Sequence, residues 1–173
     1  MLKKFKFLKK AGIKPEGQDD VEFLRSTAIE ICNEFLSGEL AHLNIQNYTY
    51  NTAEAVEELG LDKEMIEQLV DDYVAQVIKA ITQFDLHIEK LQDSKNNKTA
   101  LDYIPFRELA HKNLGVARNL RIKDAEALLY ELMKKDDLEY LLLCLEALKV
   151  CAIKLNPKCA YDTIKLIEVK SSF

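Results

Sequence analysis

His111 is the residue in this chain whose type and spacing best suit chemistry. It lies in the run Phe106-Arg-Glu-Leu-Ala-His-Lys-Asn-Leu-Gly-Val-Ala-Arg-Asn-Leu-Arg-Ile122. Wound as a helix at about 100° per residue, the run gathers Phe106, Leu109, Ala110, Asn113, Ala117 and Leu120 on one largely apolar face. His111 falls roughly 120–140° from the centre of that face, on the water side. Gly115 stands one turn further on, on the same side, with Arg107 one turn back and Arg118 two turns on. A mid-helix glycine costs about 1 kcal/mol against alanine, so its place beside an exposed histidine asks for a reason. Close approach of a large body to the imidazole is such a reason. A displayed imidazole, a bare patch beside it and cations around it are what reversible phosphorylation of a histidine needs.

The same run resembles the histidine-containing phosphotransfer (Hpt) domains. Their motif reads His-x-Leu-Lys-Gly, followed by small residues and Leu-Gly. Here it stands as His111-Lys112-Asn113-Leu114-Gly115-Val116-Ala117-Arg118-Asn119-Leu120-Arg121. The histidine, the glycine four on and the leucine nine on match. The family's lysine is Leu114 here, and its small position seven after the histidine is Arg118. The resemblance covers about residues 50–156 and implies an antiparallel four-helix bundle.

It also implies a phosphocarrier rather than a true turnover enzyme. The neutral imidazole of His111 attacks the phosphorus of an aspartyl phosphate on a response-regulator receiver domain and later passes the group on. The partner supplies magnesium and its acidic cluster, so this chain needs no cofactor of its own. Arg107, Lys112 and Arg118 are the candidates to offset phosphate charge, with Arg118 best placed to replace the missing lysine; Gly115 keeps the docking surface clear. Partners on this reading are receiver domains, a histidine kinase, or both. The alternative is a phosphorylation-silent helical adaptor that binds a receiver or kinase domain, and a closed hydrophobic patch including Leu114 and Val116 would favour it.

A second constellation uses the same histidine. Glu-x-x-His occurs as Glu39–His42 and as Glu108–His111, the spacing that carboxylate-bridged metal bundles use. Such ligands must point into the bundle, whereas Glu108 and His111 point away from the apolar stripe, so no metal site is expected. His42 and His87 read as ordinary histidines. Cys32, Cys144, Cys151 and Cys159 contain no CxxC pair and read as small core residues of a reducing compartment. No P-loop, GxGxxG, nucleophile elbow or HExxH is present, so the chain has no motif for using ATP itself.

Composition limits the rest. Of 173 residues, 48% are hydrophobic, with five glycines and three prolines. That suits one core-bearing domain and favours helix. The net charge of −5 is uneven: residues 1–14 hold six lysines, leaving 18 basic against 29 acidic residues in the remainder. An acidic body argues against a nucleic-acid partner. No apolar run approaches the ~20 residues of a membrane span, and the start lacks a secretory signal, so a cytoplasmic location is expected.

The elements that must hold His111 follow from periodicity. A basic leader, residues 1–18, ends at the break Pro15-Glu16-Gly17-Gln18, and a single helical domain spans 19–173. Its first helix, capped by Asp19 or Asp20, runs to about 37 with Phe23, Leu24, Ala28, Ile31, Phe35 and Leu36 as its stripe. After a connector at 44–50, Asn51 or Thr52 caps a short helix ending at Gly60. Four bundle helices are expected at roughly 62–92, 99–120, 122–134 and 137–155. Asp62 caps the longest, a polar turn fills 93–98, and Pro105 lies near the start of the motif helix. The additional N-terminal helix lies across the bundle or extends it. Residues 160–169 form a short helix or a packed tail.

Overall fold

A computed structural model describes residues 18–171. The basic leader and most of the Pro15–Gln18 break lie outside them. The described residues fold into seven α-helices and one 3-10 turn, with no strand among them. They are α1 (Gln18–Ser37), the turn Ala41–Leu43, α2 (Thr52–Leu59), α3 (Lys63–Asn96), α4 (Ile104–Asn119), α5 (Lys123–Lys134), α6 (Leu138–Leu155) and α7 (Pro157–Ser171).

Several ends sit where capping chemistry puts them. The side chains of Asn51, Asp62 and Asp137 accept the backbone N–H three residues on, from Glu54, Met65 and Tyr140. Each satisfies a donor that the first helical turn leaves open. Gly60 ends α2 with φ 65°, the left-handed conformation glycine adopts without penalty. Pro105 falls in the first two residues of α4, where a missing N–H costs nothing.

Three boundaries differ from the sequence expectation. α1 already includes Gln18, so Asp19 and Asp20 lie within it rather than capping it. α3 runs on through the polar stretch to Asn96, and α4 begins at Ile104 instead of 99. The reason is the same on both sides of the turn: Asp93, Ser94 and Lys95 continue a helix as readily as end it, while Pro105 has no N–H to carry a helix through from its N-terminal side. The C-terminal piece is a full helix of 15 residues. Phe23 and Met65, placed in apolar stripes by spacing, are 54% and 48% exposed.

α6 is the organising element. Eleven of its 18 residues are buried, including Leu141, Leu145, Leu148 and Ile153, so it is apolar all round and must be enclosed. α1, α3, α5 and α7 pack against it. α4 lies on α3 and α5, and α7 also touches α1 and α3. The N-terminal helix therefore packs along α6 with α7. One core cluster runs continuously from Leu24 to Ala160, and a small satellite of Ala55, Ile66 and Val70 sits beneath α2.

Candidate functional site

α4 rests between α3 and α5, and its rotation decides which side chains reach water. Phe106, Ala110, Leu114, Ala117 and Leu120 are buried, and Phe106 meets Phe84 of α3 edge-on with ring centres 5.1 Å apart. The rotation is pinned by a polar contact inside this apolar seam. Asn113, 2% exposed, donates to the Leu109 carbonyl at 2.9 Å and accepts from Gln76 of α3 at 3.3 Å. A buried amide left unpaired is costly, so turning α4 away from Gln76 is disfavoured.

With that rotation, His111 and Gly115 face solvent. A Cβ built on Gly115 meets no atom within 4 Å, so the space beside the imidazole is open. Glu108 is exposed on the same side of the helix. An outward-facing Glu108–His111 pair cannot ligate a metal inside the bundle, and no group of three or more His, Cys, Asp and Glu side chains suited to a metal occurs among the described residues.

The candidate cations divide. Arg118 is half-exposed, and its Nε lies 3.0 Å from the Glu126 carboxylate of α5. Arg107 is half-buried one turn before His111. Its guanidinium lies over the Tyr103 ring, 5.1 Å from the centroid, and its Nε is shut from solvent with no hydrogen-bond partner. Tyr103 is itself anchored by donating to the Asp136 carbonyl at 2.6 Å; burial pushes its phenol pKa up, keeping the hydroxyl a donor. Lys112 lines a shallow depression between α3 and α4 together with Lys79, Asp72 and Asn113. At about 100° per residue it is turned a quarter of the helix away from His111. The structure thus brings Arg107, Gly115 and Arg118 to the side of His111 and leads Lys112 toward α3.

Leu114 requires a correction. It stands where the Hpt motif has its lysine, and a surface patch including it was a mark of the adaptor reading. It is 1% exposed and belongs to the core, while Val116 is half-buried; no patch containing both faces the histidine.

The turn after α4 is held unusually firmly. Arg121 has φ 62°, a conformation that disfavours a side chain. Its carbonyl accepts from Tyr48 at 3.0 Å and its Nε pairs with Glu58 at 2.7 Å, while Tyr50 donates to the neighbouring Leu120 carbonyl at 2.9 Å. The connector before α2 therefore straps the α4–α5 turn. Sequence spacing did not show this, nor the Arg118–Glu126 pair.

The other histidines serve elsewhere. His42 Nε2 lies 3.1 Å from the Tyr140 hydroxyl, which itself donates to Glu131 at 2.6 Å. Since the phenol's proton goes to the carboxylate, His42 Nε2 is the donor in this chain of contacts. His87 is half-buried on α3. No helix among the described residues is long and apolar enough to cross a membrane. No family model, curated protein or solved structure matches the chain.

Proposed function

We propose that this chain is a phosphocarrier of the Hpt type, taking a phosphoryl group on His111 from one receiver domain and yielding it to another. One observation carries the reading: an exposed imidazole on α4 beside open space over Gly115, with guanidinium groups one turn before and two turns after. α3, α4, α5 and α6 each touch the next, and α3 touches α6; that closed ring supports reading them as the four-helix bundle of such carriers. The chain's part in the chemistry is small. His111 presents a ring nitrogen whose lone pair, in the neutral imidazole, is the nucleophile. The receiver provides the magnesium and the aspartyl phosphate. Arg118 can exchange Glu126 for the phosphoryl oxygens, a charge-assisted contact in either case.

The second reading is an adaptor that docks a receiver or kinase without chemistry. It is favoured by two observations: the family's lysine position is spent on the core by Leu114, and Arg118 already has a carboxylate partner.

The test is incubation of the full chain with receiver domains charged by radiolabelled acetyl phosphate. Acid-labile, alkali-stable label that disappears in His111→Gln, with the helical circular dichroism unchanged, supports the carrier. Receiver binding without label supports the adaptor. Label that survives His111→Gln refutes the assignment of the histidine.

A further inference from the structure

A pair of thiols lies in the core on the side of α6 that faces α1. Cys32 of α1 and Cys151 of α6 are separated by 119 positions in the chain, yet their sulfurs are 3.6 Å apart. The two are 1% and 5% exposed. Cys151 also forms part of the wall of a cavity of about 480 Å³, with Tyr48, Asp124, Lys154 and Asn156. The pair therefore has one side in the packed core and the other on a space that admits a small solute.

The four cysteines are not equivalent. Burial pushes Cys144 up to about 12, which leaves it a thiol at neutral pH. Cys159 is half-buried, and its S–H donates to the Asp71 carbonyl at 3.2 Å. Cys32 and Cys151 have each other. Either S–H can donate across the contact. The contact with Cys151 and, less, the nearby Lys154 ammonium lower the Cys32 thiol against its burial, while the contact with Cys32, burial and the Asp124 carboxylate raise Cys151. At 3.6 Å a thiolate formed at either sulfur has its resolving thiol already in place.

We propose that Cys32 and Cys151 are an oxidisable pair that closes to a disulfide when a small peroxide enters the cavity at Cys151, covalently tying α1 to α6. With hydrogen peroxide the step balances as two thiols and one peroxide giving one disulfide and two waters. A thiolate sulfur attacks a peroxide oxygen, the O–O bond breaks and hydroxide leaves, taking up the proton the thiol lost. The second sulfur then displaces the hydroxyl of the sulfenic acid, forming the S–S bond and the second water. Closing from 3.6 Å to the ~2.05 Å of a disulfide requires the sulfurs to approach by less than the length of one C–S bond. α1 packs against α6, so the bond would add a covalent crosslink to that contact.

The test treats the folded, reduced full chain with a small excess of hydrogen peroxide, then alkylates it in denaturant and maps the peptides. The expected result is loss of two alkylatable thiols per chain and one crosslink between the peptides holding Cys32 and Cys151. Dithiothreitol should reverse it, and Cys144→Ala should still form it. The thermal midpoint should rise by several degrees in the oxidised form and return on reduction. Retention of all four thiols would overturn the proposal. So would a crosslink through Cys144 or Cys159, one between chains only, or oxidation to sulfinic acid without a crosslink. The mapping uses the unaltered chain, so it does not depend on a core cysteine variant folding.

Discussion

Replacing Gly115 by alanine should stabilise this protein, and the sign tests the orientation of His111. The glycine lies inside α4, its surroundings are solvent, and a new Cβ meets nothing within 4 Å. What remains is helix propensity, worth about 0.5–1 kcal/mol in alanine's favour. For a chain of 173 residues that corresponds to a rise of roughly 1–4 °C in the thermal midpoint. Two other glycines act as controls of opposite sign. At Gly38 a Cβ would sit 2.8 Å from the Glu34 carbonyl oxygen, so alanine forces the end of α1 to shift, at about 1–3 kcal/mol. At Gly60 the φ of +65° makes alanine cost about 1–2 kcal/mol. Thermal and urea unfolding followed by circular dichroism would rank the three. If Gly115→Ala instead melts earlier, Gly115 packs against another element and His111 does not face solvent as described. The larger change Gly115→Gln should fold yet block receiver docking, which separates an interface role from a packing role.

Arg118→Ala should shorten the phosphohistidine lifetime while changing stability by no more than about 0.5 kcal/mol, because its pair with Glu126 is exposed; unchanged lifetime would leave the arginine only its ion pair. Leu114→Ala should cost about 2–5 kcal/mol, and Leu114→Lys at least as much, since an ammonium there has no water; a Leu114→Lys protein that folds normally and transfers faster would contradict the burial described. Burial pushes the Tyr48 phenol from 10.0 up to about 12. A folded value above the unfolded one means that its contribution is present below pH 10 and lost as pH rises toward 12. Alkaline unfolding curves should therefore show stability falling across that window, with less fall in Tyr48→Phe.

The helices around the site were legible in the chain because their signals are local. Asp62, Asn51 and Gly60 cap where their chemistry predicts, and the 3/4 spacing in α3 marks its buried face. The outward position of His111 was also legible, since helical rotation follows from sequence spacing alone. Leu114 was not. It lies between the apolar centre and His111 on the helical wheel, and which way such a residue faces depends on how far the neighbouring helix wraps around α4. Boundaries set by residues that both continue and end helices, as at Asp93–Asn96, were likewise open.

The sequence by itself determined an all-helical chain, the type and rough extent of most elements, and a histidine on the wet side of one of them, because propensity, capping and periodicity act over a few neighbouring residues. Only the tertiary structure decided what those elements meet. It enclosed α6 between α1, α3, α5 and α7, gave Arg118 a carboxylate partner, turned Lys112 toward α3, and set Cys32 3.6 Å from Cys151. The physical reason is that apolar burial is non-directional: it tells a helix face to leave water, but the partner is selected by the packing of the whole chain.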